Sequence, residues 1–337
     1  MIRFYIWCCL LLATKLVVAQ QDPSLTTYRF NSLHFNPAYA GSQGYLTMNL
    51  TNRNQWLGWS DKDSKAPITQ ALSAHSPLNT RVGLGITLMN DRIGVSGFTS
   101  LNLAYTYRIS LREWGTLSAG LQGGFFNWRS DWNKLSFQDE ITFDPAFNEG
   151  RFRQILPNIG AGIYFQSDKY YVGLAAPRLI HHDVGTVDVN TNVGSYSRLY
   201  RHTYFMAGGI FPILSEAIVF RPALLVRKVG NFGKAKRPTF QTSSPTAIDV
   251  EMSLFFLETL WLGINYRTAL EGTLGSSSSH DSIDFWAAYY LKNGFRLGFA
   301  YDISLTPIQQ YSGGSLEIML GYDFNYKVGK IKSPRYF

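Results

Sequence analysis

Apolar and polar residues alternate with a period of two along most of this chain. In residues 158–166, Ile159, Ala161, Ile163 and Phe165 share one face, while Asn158, Gly160, Gly162, Tyr164 and Gln166 share the other. A 3.6-residue helical repeat cannot produce that split. The same alternation sets Ile248, Val250, Met252, Leu254 and Phe256 against Asp249, Glu251 and Ser253. It recurs with Phe295, Leu297, Phe299 and Tyr301 against Arg296, Gly298, Ala300 and Asp302, and with Leu316, Ile318, Leu320, Tyr322 and Phe324 against Ser315, Glu317 and Asp323. The pattern predicts strands over 45–52, 67–75, 82–90, 99–109, 115–127, 158–166, 170–175, 204–212, 217–227, 246–256, 261–267, 283–291, 295–302 and 315–325. These are about fourteen, an even number, as in bacterial single-chain membrane barrels.

A soluble sandwich also alternates, so period alone does not choose between the two architectures. Connection length does. Short links fall at Pro77-Leu78-Asn79, Arg112-Glu113-Trp114, Ser167-Asp168-Lys169, Leu214-Ser215-Glu216, Leu257-Glu258-Thr259 and Lys292-Asn293-Gly294. Longer ones, at 53–66, 91–98, 128–157, 176–203, 228–245, 268–282 and 303–314, lie between them. Short turns on one rim and long loops on the other are the mark of an antiparallel transmembrane β-barrel. With both chain ends in the periplasm, the long loops are extracellular.

Composition agrees. Charged residues are 16 % of the chain, against about 25 % in typical soluble domains. Beyond the first residues no apolar run reaches the ~20 residues that a spanning helix needs, so entry into a bilayer has to be by strands. Tyr105, Tyr107, Trp128, Trp132, Tyr170, Tyr171, Trp261, Tyr266, Tyr289, Tyr290 and Tyr322 sit mostly at or near strand ends, where rings can form belts at the two membrane interfaces. Glycines at 83, 85, 120, 124, 160, 162, 298 and 321 fall on the inward faces, leaving room in the lumen or letting strands bend.

The amino terminus reads as a secretory signal: Arg3, an apolar core from Phe4 to Ala13, and Val17-Val18-Ala19 at the cut. The expected divisions are a signal peptide at 1–19, an N-terminal periplasmic or plug segment at 20–43, an outer-membrane β-barrel at 44–326 and a periplasmic tail at 327–337. Both cysteines, Cys8 and Cys9, lie in the signal. A mature chain without thiols has no disulfide, thiolate metal site or cysteine nucleophile. Formal net charge is +8, or +6 without Arg3 and Lys15. This suits a mildly basic surface against outer-membrane lipid, and export makes nucleic acid an improbable partner.

Candidate chemistry is sparse. Ser73 and His75 share a strand face near one rim while Ser76 faces away, and no acidic residue is close in sequence to complete a hydrolase set. A structural histidine capping a turn is the better reading. His181-His182-Asp183 lacks the spaced ligands of a metal site, and there is no phosphate-binding glycine loop or GxSxG elbow. No catalytic, cofactor-binding or metal residues, and no cofactor, are expected. The inward charges Arg221, Arg227, Asp249, Glu251, Asp284, Arg296, Asp302 and Glu317 either line a water-filled pore or pair across a packed lumen; their mixed signs favour pairing.

Several stretches, in order, carry a family resemblance: Phe35-Asn36-Pro37-Ala38-Tyr39-Ala40-Gly41, Arg53-Asn54-Gln55-Trp56, Gln70 to Pro77, Gly83-Leu84-Gly85, Asn90-Asp91-Arg92-Ile93-Gly94, Gly160 to Phe165 with Tyr171 to Leu174, Gly298 to Asp302, Gly314 to Tyr322 and the ending Ser333 to Phe337. Together they resemble the PorP/SprF family of type IX secretion proteins. The resemblance implies an outer-membrane component of that secretion system, not an enzyme, in many users alongside gliding motility. It also implies partners: other secretion components, and a secreted adhesin-like cargo bearing a C-terminal sorting domain whose export or surface attachment it supports. The rival reading from the residues is a channel for small or hydrophobic solutes, since fourteen strands can enclose a lumen. Export implies one checkable detail: mass spectrometry of the protein from outer membranes should find its first residue at Gln20.

Overall fold

The alternating segments pair antiparallel with their neighbours in sequence. The computed structural model describes residues 22–59, 66–131, 133, 151–184, 197–199, 201–214, 217–230, 246–269 and 279–324. Its strands are β1 (Thr47–Asn54), β2 (Ile68–Pro77), β3 (Val82–Ile93), β4 (Ser96–Ser110), β5 (Thr116–Asp131), β6 (Arg151–Gln166), β7 (Tyr170–Arg178), β8 (His182–Val184), β9 (Ser197–Leu199), β10 (His202–Gly209) and β11 (Phe211–Leu214). They continue as β12 (Ile218–Val229), β13 (Ala247–Phe256), β14 (Leu260–Ala269), β15 (Ser279–Tyr290), β16 (Phe295–Ser304) and β17 (Ser315–Asp323). β8 and β9 form a small separate hairpin, and β10 with β11 make one stave broken at Ile210. The rest close into a fourteen-strand antiparallel barrel where β1 pairs with β17, Thr47 opposite Asp323 and Arg53 opposite Glu317.

The period of two becomes an inside-out distribution of polarity. On β14, Leu262 and Ile264 are exposed while Trp261, Asn265 and Arg267 are buried. On β3, Leu84, Ile86 and Leu88 point outward, and Thr87 and Asp91 point in. Among the described residues no helix is long and apolar enough to cross a membrane. The outward apolar surface of the strands takes that part.

Most short turns fall where the pattern put them. At 78–81 the Asn79 side chain accepts from the backbone N–H groups of Arg81 and Val82, both at 2.8 Å, closing the turn locally. One long-loop expectation fails: β3 and β4 stay paired up to Ile93 opposite Ser96, so 91–98 is a two-residue turn with Gly94 at φ +56. Its polar residues read as loop, yet they bond across the sheet, Thr69 Oγ1 to Asp91 Oδ1 at 2.6 Å and Ser96 Oγ with Ser130 Oγ at 2.7 Å. β5 and β6 likewise run to 16 residues each. At ~3.3 Å per residue that is roughly 50 Å, about twice the apolar band of such a barrel, so this hairpin projects beyond the long-loop rim. Residues 1–19 and 327–337 lie outside the described residues.

Leu121, 65 % exposed at the middle of β5, tests the orientation. Leu121→Arg should destabilise the barrel in bilayers by about 2–4 kcal/mol, measured by urea unfolding; an unchanged midpoint would place this face away from lipid.

Candidate functional site

Residues 22–45 run through the lumen. The sequence left this segment as either a lead-in or a plug; Leu25, Tyr28, Leu33, Ala38 and Ala40 are at most 2 % exposed, and each turn of the segment bonds to inward-facing strand residues. It enters beside the long-loop ends of β7 and β10, the rim opposite the periplasmic one at which the amino-terminal end was expected, and there Asp22 pairs with Arg178 and accepts from the Tyr204 hydroxyl at 3.1 Å. It leaves at the short-turn rim, where β1 begins. Between lie a 3-10 turn (Tyr28–Asn31), one α-helical turn (Ser32–Phe35) and a second 3-10 turn (Pro37–Tyr39). Such short turns carry many unmet backbone groups, and the lumen meets them. Asn49 Nδ2 donates to the Phe30 carbonyl at 2.8 Å, Thr106 Oγ1 to that of Pro37 at 2.7 Å and Arg108 Nη1 to that of Gly41 at 2.8 Å.

The Asn36–Gly41 sequence can be read residue by residue. Asn36 caps the second turn by accepting from the Ala38 N–H at 2.9 Å, and its amide donates to the Ile163 carbonyl at 3.0 Å. Pro37 takes the first helical position, where no N–H is needed. Ala38 lies on Gly120, and Asn36 on Gly162; a Cβ on either glycine would collide with the segment. Tyr39 meets His75 and Tyr164 edge-on at 5.2 and 5.5 Å. Gly41, at φ +76, turns the chain against Pro77 and Gly83 where a side chain has neither the space nor the backbone conformation.

Charge holds the other half. Glu317 accepts from the backbone N–H groups of Thr26 and Thr27 at 2.8 and 3.0 Å. Arg53 joins Glu317 (3.3 Å) to Asp302 and donates to Thr26 Oγ1 at 2.7 Å. Arg29 binds Glu251 at 2.8 Å beneath Phe30, which packs edge-on against Trp261 and Trp286 at 5.2 and 5.8 Å. A third group ties Arg227 and Arg267 to Asp249 at 3.1 and 2.6 Å, with Arg267 reaching Asp284 at 3.4 Å.

Of the expected inward charges, Arg227, Asp249, Glu251, Asp284, Arg296, Asp302 and Glu317 are ion-paired and Arg221 lies over the Trp261 ring at 3.7 Å, so they are not arrayed along a passage. Arg29, Arg53 and Arg267 were not anticipated as members of these groups. Tyr171, Trp261 and Tyr290 are not in the interfacial belts where strand-end position put them: they face the lumen and pack against it. Tyr105, Tyr107, Tyr170 and Tyr289 do point outward, and Trp132 lies outside the described residues. Ser73 and His75 both face in, but His75 Nδ1 accepts from the Gly41 N–H at 3.2 Å, making it a seat for the plug. His182 Nε2 lies 2.7 Å from the Pro157 carbonyl. Among the described residues no cluster of three or more metal-ligating side chains occurs.

Above the plug, toward the long loops, a cavity of about 60 Å³ is lined by Asp22, Phe35, Gln122, Phe126, Asn158 and Arg178, among others. Phe98 stacks on Phe126 at 4.3 Å, Trp128 continues the stack, and Leu199 at the end of β9 closes over it.

Comparisons with known proteins agree with this geometry. The family model for the type IX secretion system membrane protein PorP/SprF matches residues 17–322. No curated protein matches the sequence. Among solved structures, the CymD monoaromatic hydrocarbon channel is similar at 11 % identity and TM-score 0.51, over 88 % of this chain and 93 % of that one. A Pseudomonas aeruginosa FadL homologue is similar at 10 % identity and TM-score 0.48, over 87 % and 94 % of the two chains. Such low identities speak to the fold alone.

The close approach at Gly120 is open to test. In a chain lacking Cys8 and Cys9, a single Leu33→Cys label site should resist maleimide in detergent. Adding Gly120→Val should expose it, with labelling at least tenfold faster, while the barrel stays folded by heat-modifiable electrophoresis. Equal labelling rates would refute the seat.

Proposed function

The chain belongs to the PorP/SprF family of type IX secretion system membrane proteins, an outer-membrane component of that machine, and on that premise we propose that it works as a closed docking scaffold. Its long-loop face supports the export or surface attachment of a secreted, adhesin-like cargo carrying a C-terminal sorting domain, in hosts that glide as well as those that do not. It associates with other secretion components, and it does no chemistry of its own.

The observation that carries this reading is the use to which the lumen is put. Most of its charges are spent in pairs, and its middle is filled by residues 22–45. A stripe of one charge sign for ions, or an empty greasy bore for apolar solutes, would instead support the rival reading, a channel for small or hydrophobic solutes. Of the Ser73 and His75 pair weighed for catalysis, His75 is engaged by the plug turn at Gly41. What is left to act is the two rims. The outer one combines hairpins that stand clear of the bilayer with the Phe98, Phe126 and Trp128 stack, the kind of aromatic patch on which partners dock.

Two experiments separate the readings. Deleting the gene in its own host should remove the sorting-domain cargo from the cell surface, read by protease shaving and antibody labelling, and the intact gene should restore it. Purified protein in planar bilayers should be silent, whereas removal of residues 22–43 should give steady conductance. A normal cargo surface in the deletion strain sinks the scaffold, and solute uptake by the intact protein establishes the channel.

A further inference from the structure

On the outer surface of β3 to β6, the outward-facing residues change character over three successive register rows. The first row, Leu88 on β3, Leu101 on β4, Phe125 on β5 and Pro157 on β6, is apolar and tops the lipid-facing surface. Two residues nearer the long loops, about 7 Å along the strands, the row reads Asn90, Thr99 and Asn127, with Ile155 completing it. Two residues further it reads Arg92, Gly97, Arg129 and Arg153, and all three arginines are exposed. Arg129 and Arg153 are direct cross-strand partners, a placing of like charges that is destabilising unless an anion lies against it. Among the described residues the carboxylate on this part of the face is Asp131, which pairs with Arg151 at 3.6 Å; Asp91 points inward and accepts from Thr69.

The neutral row anchors the cations without cancelling their charge. Arg129 donates from Nη1 to Thr99 Oγ1 at 2.9 Å and from Nη2 to Asn90 Oδ1 at 2.6 Å, and Arg153 donates from Nε to Asn127 Oδ1 at 3.1 Å. Asn90 is steadied in turn by donating to Gln70 Oε1 at 3.3 Å. A guanidinium held through part of its fork keeps its charge, and its other N–H groups can meet an outside acceptor in a fixed direction.

We propose that this row binds the phosphate-bearing headgroup of a glycolipid in the outer leaflet, on the outside of the barrel wall. The order of the rows is the order of such a lipid met from its tails: hydrocarbon, then the amide, ester and sugar oxygens that Asn and Thr side chains can bond, then phosphate, which arginine grips with charge-assisted hydrogen bonds. A protein partner has no reason to follow that order, because its charges are not tied to a depth in the bilayer. The site lies on a different surface from the mouth assigned to cargo. It shares with that reading only the extracellular placing of the long loops, and lipid binding by the purified protein is read without cargo.

The protein in dodecyl maltoside can be titrated with monophosphoryl lipid A and followed by native mass spectrometry. Saturable retention of the lipid on the intact barrel is expected, weakening as salt is added. Arg92→Gln, Arg129→Gln and Arg153→Gln combined should weaken retention at least tenfold, and Arg81→Gln, exposed in a turn of the opposite rim, should leave it unchanged. If the triple variant does not fold, Arg92→Gln with Arg153→Gln leaves Arg129 on its two anchors and should weaken retention several-fold. Equal retention of lipid A stripped of its phosphate, or of phosphatidylglycerol, overturns the proposal. So does retention unchanged in a folded double or triple variant.

Discussion

Arg53 is the residue on which the architecture turns. A barrel built apolar-out must collect its polar groups inside, and the point of greatest demand is the seam where first and last strands meet. There Arg53 on β1 lies opposite Glu317 on β17 and reaches Asp302 on β16, with the backbone of Thr26 and Thr27 held on the same carboxylate. Buried ion pairs are weak contributors to net stability, because desolvation offsets much of the attraction. Removing one partner is another matter, costing about 3–5 kcal/mol by leaving a charge buried alone. The network therefore works as a registry device. In this register the network strands none of its charges, so closure of the seam and seating of residues 22–45 are energetically coupled.

The rest of the lumen follows from that coupling. Once the segment is inside, its short turns need acceptors and donors at fixed heights, which Asn49, Thr106, Arg108 and His75 provide. They also need close approach, which Gly120 and Gly162 permit. The apolar side chains of the plug, each worth about 1.5–3 kcal/mol when fully buried, find no apolar core in an ordinary membrane-barrel lumen. Trp261, Trp286, Tyr164 and Tyr204 supply one. The protein thus has two kinds of apolar surface, one facing lipid and one wrapped around its own amino-terminal segment.

Much of this was legible in the residues, and the reasons for the gaps are physical. Strand positions and rim asymmetry follow directly from a period of two and from link length. Their ends do not, because polar residues such as Asp91 and Ser96 look like loop until their cross-strand partners are known. Trp261 and Tyr290 were drawn toward the belts by strand-end position, yet parity already placed them: Trp261 shares a face with Asn265 and Arg267, and Tyr290 with Asp284. Position along a strand says how deep a ring sits, and only parity says which way it points. Arg53 sat at the edge of a segment that read as loop. The plug itself has no period, so nothing local announces where it goes. What signals it is the complementary feature on the other side, a set of inward glycines too numerous for strand bending alone.

That division bears on where specificity resides. The residues that carry the family resemblance, Phe35 to Gly41 with Gly83 and Gly85, the Gly160 to Phe165 stretch and Gly298 to Asp302, fall in the plug or on the strands that seat it. Their inward members specify a closed barrel, while Ile163 and Phe299 face outward and the Asn90 to Gly94 stretch reaches the β3–β4 tip. A scaffold that has to hold one cargo among many cannot distinguish it with residues buried in its own lumen. On the proposed reading, discrimination falls to the outer mouth, where Phe98, Phe126 and Trp128 stack beside Arg178 and the hairpins rise clear of the lipid. The plug, by making the barrel rigid and shut, gives that mouth a fixed shape to present, and a preformed surface loses less freedom on binding than a loose one.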